Sequence, residues 1–201
     1  DLGAAAREYL ASREITRAVA DRFGLGFAPR EIGLMRAALN AIGIDDARML
    51  EAGLLVKRDE TEEPRPRFRA RLIFPIHDVP GHIVGFGGRL IAPGEPKYLN
   101  SADSTIYSKG RLLYNLHQAR NAIRRADRVI VVEGYFDVVR LVGAGIETVV
   151  APLGTALTAD QAQLLVRYSK NVYLLYDSDQ AGLKATFRAG DELLAEGATV
   201  R

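Results

Sequence analysis

The sequence predicts an α/β protein: an α+β N-terminal part, helices followed by antiparallel strands, leads into a parallel α/β sheet. Three observations carry this. Apolar runs at residues 129–132, 148–150 and 172–176 alternate with stretches of helical periodicity, as in a parallel sheet buried between helices. Ahead of them, residues 68–76 alternate apolar with polar side chains. Residues 82–91 follow across an Asp78-Val79-Pro80-Gly81 turn, so the two read as an antiparallel pair. Finally, Glu133 and Asp177 stand directly after two of the apolar runs, at the edge where open parallel sheets bind ligands.

In chain order, residues 3–53 read as helices. Ala5, Tyr9 and Leu10 begin one apolar stripe; Ile15, Val19 and Phe23 begin a second; Leu34, Ala38, Leu39 and Ile42 mark a third. Gly24, Gly26, Pro29, Gly43 and Gly53 punctuate them, and Asp45 or Asp46 can cap a short fourth helix. Residues 58–67 are charged, carry Pro64 and Pro66, and read as a loop. The strand over 68–76 places Arg67, Arg69 and Arg71 as a stripe along one face, and the strand over 82–91 is interrupted by Gly85, Gly87 and Gly88. Helical periodicity returns at 116–126, 135–142, 158–168 and 182–195, and residues 199–201 begin a fourth parallel strand. There is no internal repeat or low-complexity tract.

Composition narrows the chemistry. The chain has 201 residues, 48% of them hydrophobic, and no cysteine, which excludes disulfides and thiolate zinc sites. No stretch has the length and apolarity of a membrane span, and the first residues, Asp1-Leu2-Gly3, do not have the form of a signal peptide. The absence of cysteine fits a cytoplasmic protein. The net charge is +2, unevenly spread. Residues 57–125 hold 13 Lys and Arg against 7 Asp and Glu, and the remainder carries a balance of −4. A surface for polyanions beside an acidic, metal-binding surface is one reading, and an ordinary solvated arginine-rich face is the other.

The acidic residues are the sharpest feature. Glu133, Asp177 and Asp179 project from one edge of the predicted sheet. Crowded carboxylates repel, and a divalent cation relieves the repulsion; Mg²⁺, which prefers hard oxygen ligands and shares substrate phosphates, suits them. Gly134 and Gly182 leave room for a phosphate to approach. His77, His82 and His117 show no metal spacing, and Tyr107 and Tyr114 read as packing residues.

The segments Val131-Val132-Glu133-Gly134-Tyr135-Phe136-Asp137 and Tyr176-Asp177-Ser178-Asp179-Gln180-Ala181-Gly182 resemble the two signature segments of the TOPRIM domain. That domain is shared by DnaG-type primases, type IA and type II topoisomerases, OLD-type nucleases and RecR-type repair proteins. Phe74-Pro75-Ile76, Gly85-Phe86-Gly87-Gly88-Arg89, Pro96-Lys97-Tyr98-Leu99-Asn100-Ser101, Lys109-Gly110-Arg111 and Ala151-Pro152-Leu153-Gly154-Thr155, with Phe23-Gly24-Leu25-Gly26-Phe27-Ala28-Pro29 ahead of them, resemble in order the RNA-polymerase core of bacterial DnaG-type primases. The resemblance covers essentially the whole chain.

The resemblance implies an N-terminal basic subdomain over 1–126 and a TOPRIM domain over 127–201 that continues beyond residue 201. It implies DNA-templated synthesis of RNA primers by metal-dependent nucleotidyl transfer. In that scheme Glu133 is a metal ligand or general acid/base, Asp177 and Asp179 hold Mg²⁺ (or Mn²⁺ in its place), and Asp137 supports the site. Arg71, Arg89, Lys97 and Lys109 would meet nucleotide or template phosphates, Tyr98 would stack on a base or sugar, and Asn100 would hydrogen-bond one. Implied partners are a single-stranded DNA template and ribonucleoside triphosphates, with a replicative helicase and single-strand-binding protein reached through other modules. A monomer at the replication fork, in the cytoplasm and without membrane contact, is expected. A zinc module and a helicase-docking module would lie outside these residues, and a chain with only part of the acidic cluster is expected to bind metal and nucleotide weakly and to make little primer. A TOPRIM nuclease or topoisomerase fragment, or a nucleotide-binding module without catalysis, remain as alternatives.

Overall fold

The computed structural model describes residues 2–201 except 32, 58, 60 and 155. Thr155 of the quoted motif, and Arg58 and Glu60 of the charged loop, therefore lie outside the described residues. The N-terminal helices are α1 (Ala4–Ser12), α2 (Arg17–Arg22), α3 (Gly33–Asn40) and α4 (Asp46–Glu51). Thr16 caps α2 by accepting from Val19 N, and Asp45 caps α4 by accepting from Arg48 N. Between α2 and α3 the sequence reading missed a strand, β1 (Gly26–Ala28). Three residues beginning with a glycine carry too little periodicity to announce it; it exists because β4 offers an edge.

The ribbon β2 (Leu55–Val56) and β3 (Arg65–Pro66) encloses the charged loop. Next come β4 (Arg71–His77), β5 (Ile83–Leu90) and β6 (Tyr98–Asn100). With β1 they form an antiparallel sheet in the order β1-β4-β5-β6. β4 begins three residues later than expected. Ala70 adopts φ 50°, a left-handed turn that breaks the extended backbone, so the expected Arg67–Arg69–Arg71 stripe does not form.

The C-terminal part alternates as predicted: α5 (Leu116–Ala126), β7 (Val129–Val132), α6 (Tyr135–Gly143), β8 (Val149–Val150), α7 (Ala159–Val166), β9 (Asn171–Leu175), α8 (Gln180–Ala195) and β10 (Thr199–Val200). The sheet runs β10-β9-β7-β8, all parallel. Strand periodicity divides the core. Val129 and Val131 of β7 face a cluster built by α5, α7 and α8, while Val132 faces one built by α6. β9 is not buried on both faces, as its apolar run suggested: Tyr173 and Leu175 are 37% and 56% exposed. α8 begins at Gln180 rather than 182, because Asp179 caps it by accepting from Gly182 N at 2.7 Å.

The α6 cluster is shared between the two parts of the chain. Ala6 and Leu10 of α1, Ala20 of α2 and Leu72, Phe74 and Ile76 of β4 pack with Tyr135, Val138, Val139 and Val142 of α6. An antiparallel bridge between Tyr114 and Ala151 joins the parts again. Among the described residues no helix is long and apolar enough to cross a membrane.

Candidate active site

β7 and β9 are adjacent and in register, with Val132 opposite Leu175. Glu133 directly follows β7, and Asp177 stands two residues beyond β9, so both carboxylates lie at one sheet edge. They are joined through the backbone: Glu133 Oε1 accepts from Asp177 N at 2.9 Å. Asp137 sits in the first turn of α6, where its Oδ2 accepts from Gly134 N at 3.1 Å. Glu133, Asp137 and Asp177 line one cleft of about 530 Å³, whose other walls include the α1–α2 turn, Val132, Leu175 and Tyr176. Asp179 caps α8 and is not part of that lining.

Desolvation against the cleft wall pushes the Asp137 carboxyl above its ordinary range, and the Asp177 charge adds to the push. None of the four carboxylates makes an ion pair among the described residues. Their donors are all hard oxygens, and Glu133 Oε2 has no hydrogen-bond partner among them. This chemistry fits a divalent cation that completes its shell with water and phosphate. As the side chains stand, however, no three acidic or histidine groups among the described residues converge to metal-site spacing.

Gly182 has a role different from the one expected. A Cβ there would lie 2.1 Å from the Asp177 carbonyl oxygen and 2.9 Å from Glu133 Oε1. The missing side chain admits the protein itself: the first turn of α8 closes onto the Asp177 backbone and the Glu133 carboxylate. Gly87 behaves similarly, since a Cβ there would lie 2.7 Å from the Tyr135 ring. Gly85 and Gly88 likewise face Tyr107 at 2.9 Å and Phe68 at 2.7 Å, so the glycines of β5 make room for aromatic rings on both faces of the strand.

The basic residues fall into two groups. Arg71 is 6% exposed and donates to the carbonyls of Gly88, Pro96 and Lys97; it ties down the β5–β6 loop instead of pairing with a carboxylate. Arg67 donates twice to the Asn100 carbonyl. Asn100 is also engaged within the protein: its Oδ1 accepts from the Tyr135 hydroxyl at 2.7 Å and its Nδ2 donates to the Leu153 carbonyl at 2.8 Å. Lys97, Tyr98 and Lys109 turn outward, whereas Arg89 is half-buried. Lys97 and Lys109 are exposed and make no ion pair among the described residues. The Arg89 guanidinium lies 4.7 Å from the Tyr98 ring centroid and 5.9 Å from that of Phe136, and its Nε donates to the Tyr9 hydroxyl at 3.0 Å.

With this geometry in place, known proteins are informative. The family profile described as the DNA primase catalytic core, N-terminal domain, matches residues 1–120. The chain belongs to the DNA primase catalytic-core family. A Toprim domain profile matches residues 127–201. The DNA primase of Halalkalibacterium halodurans is 43% identical over 199 residues, which cover 99% of this chain and 33% of that protein. The primase of Synechococcus elongatus is 46% identical over 195 residues, or 95% and 28%. The Aquifex aeolicus primase structure, comprising zinc-binding and RNA polymerase domains, superposes with a TM-score of 0.90 at 44% identity. It covers 97% of this chain and 48% of that one. A DnaG primase catalytic domain bound to single-stranded DNA superposes with a TM-score of 0.85 at 40% identity, covering 100% and 65%. The chain thus spans about a third of the length of the primases it matches in sequence.

Within this primase core, the sequence had marked Glu133, Asp137 and Asp177, which the fold gathers at one cleft. It missed Tyr9, Tyr135 and Phe136 as contributors to the site. Tyr135 and Phe136 stand inside the quoted motif, which was a usable signal. Tyr9 carries none beyond its place in an apolar stripe.

Proposed function

We propose that this chain forms part of a primase active centre that makes RNA primers on a single-stranded DNA template. The observation that carries the proposal is the cleft lined by Glu133, Asp137 and Asp177 at the carboxyl edge of β7 and β9, with the exposed Lys97 and Lys109 in the loops before and after β6. The match over residues 1–120 favours this reading over a TOPRIM nuclease or topoisomerase.

In this reading Glu133, Asp177 and Asp179 hold Mg²⁺, for which Mn²⁺ can substitute, and Asp137 completes the acidic cluster. When bound, the metal supplies charge stabilisation at the phosphoryl oxygens. The protein supplies position. Arg89, Lys97 and Lys109 neutralise triphosphate and template phosphates, and Tyr98 offers its 39%-exposed ring as a stacking surface. Arg71 acts indirectly, by holding the loop that carries Lys97, and Asn100 by tying β6, which carries Tyr98, to Tyr135 and the Leu153 carbonyl. Glu133 uses Oε1 to fix the Asp177 backbone and keeps Oε2 for the metal or for the proton of the attacking 3′-hydroxyl. That hydroxyl attacks the α-phosphate of the next ribonucleotide, and pyrophosphate leaves. The same reading makes the chain the core of a monomer at the replication fork, in the cytoplasm, working beside a replicative helicase and single-strand-binding protein.

The test is Glu133→Gln in a polypeptide carrying this core. Gln keeps an oxygen to accept from Asp177 N but removes the charge. Primer synthesis from ribonucleotides on single-stranded DNA should fall by about 10²–10³-fold, the scale of losing one electrostatic group at a reacting centre, with the melting temperature unchanged. Undiminished synthesis would refute the assignment. Metal-dependent DNA cleavage without nucleotides would point to a nuclease instead.

A further inference from the structure

Tyr9 lies in the first helix, 80 residues before Arg89 and outside every quoted motif, yet its hydroxyl accepts from Arg89 Nε at 3.0 Å. The bond closes a cage. Around the Arg89 guanidinium carbon the ring centroids lie at 4.7 Å (Tyr98, from β6), 5.9 Å (Phe136, from α6) and 6.0 Å (Tyr9, from α1). Tyr9 also meets Phe136 edge-on, with centroids 5.8 Å apart and planes at 76°, so the walls brace one another. Three parts of the chain therefore converge on one cation.

The cage adjoins the acidic cleft. Phe136 directly precedes Asp137, and Asp137 is close enough to Tyr98 for its charge to help push the Tyr98 hydroxyl upward, beneath the larger effect of desolvation. A guanidinium surrounded by ring faces gains from their negative quadrupoles and loses the freedom to swing away. Nε is directed at the Tyr9 hydroxyl and the Tyr98 hydroxyl also interacts with the guanidinium, so two hydroxyls fix its rotation while the remaining terminal N–H groups can receive a phosphate.

We propose that Tyr9 is a positioning residue, which orients Arg89 so that its terminal nitrogens receive a phosphate group beside the Glu133–Asp137–Asp177 cleft. The proposal rests on the primase reading for its ligand. That phosphate belongs either to a nucleoside triphosphate or to the backbone of single-stranded DNA.

Three variants of the 201-residue chain decide the matter: Tyr9→Phe, Arg89→Gln and the double substitution. Each is titrated with ATP in the presence of Mg²⁺, with oligodeoxythymidylate, and with adenosine as the phosphate-free control. Tyr9→Phe keeps the ring and should keep the melting temperature. It should weaken ATP or the oligonucleotide about three- to tenfold, the scale of one hydrogen bond's net contribution acting through Arg89, and leave adenosine unaffected. The ligand that responds identifies the source of the phosphate. On the Arg89→Gln background the Tyr9→Phe change should have no further effect, because positioning acts only through its target. Tyr9→Phe binding both phosphate ligands like the parent, or adding its full loss to that of Arg89→Gln, would overturn the role of Tyr9 while leaving the primase reading intact. A parent chain that binds neither ATP nor oligonucleotide would overturn both.

Discussion

At the scale of single residues, the acidic edge is held by backbone contacts as much as by charge. Gly182 is the clearest case. An alanine there would place its Cβ 2.1 Å from the Asp177 carbonyl oxygen, a contact that only a backbone shift can relieve. We expect Gly182→Ala to cost about 1–3 kcal/mol, as for overpacking a core, read as a lower urea midpoint. Primer synthesis should fall further than stability does, because the shift moves Glu133 and Asp177 together. Asn100 gives a second test. Its truncation to alanine leaves the Tyr135 hydroxyl and the Leu153 carbonyl without their partner, and should cost about 1–3 kcal/mol of stability. Neither role was legible in the sequence. Asp-x-Asp and Glu-Gly announce carboxylates near a sheet edge, whereas the partner of an amide or the neighbour of a missing Cβ depends on strands that meet only after folding. Asn100 and Arg71 looked like nucleic-acid ligands for that reason: an outward and an inward polar side chain have the same letters.

At the scale of elements, the sequence was most reliable where a helical stripe or a buried apolar run stood between clear breaks: α5 and β7 have the bounds the pattern predicted. The reading failed at short or bent pieces: β1, the β2–β3 ribbon, and the start of β4, which the left-handed Ala70 cuts short. The turn between β4 and β5 also holds a feature that no spacing rule indicates. His77 at the end of β4 stacks on His117 of α5, with centroids 5.8 Å apart and planes at 22°. Desolvation lowers the His77 pKa and His117 lowers it further, against a smaller opposite effect of Asp78. Its folded pKa is therefore below the unfolded value of about 6.5. The unfolded chain takes up the proton first, so stability falls as pH drops through and below that value. His77→Phe keeps a ring over His117 and removes the proton site. The melting temperature of the parent should fall more than that of the variant between pH 7.5 and 5.5; equal falls would dismiss the effect.

At the scale of the whole molecule, the division expected at residues 126/127 falls inside the packed core: α5, on its N-terminal side, packs with β7, α7 and α8. α6 packs its buried face, Tyr135, Val138, Val139 and Val142, against side chains from α1, α2 and β4. Cutting the chain there would strand that face in water. We therefore expect a single cooperative transition, with backbone circular dichroism and aromatic signals coinciding, and we expect residues 127–201 alone to lack a cooperative melt. Two separated transitions would contradict the shared core. The aromatic signal would itself be informative. The chain contains no tryptophan, and Tyr114 and Tyr135, buried with Phe74 in one stack, sit where the two parts meet. The molecule is consequently dark in the tryptophan emission band. One indole introduced at the rim of the Arg89 cage would emit against no background, so the arrival of a phosphate there could be followed by colour alone.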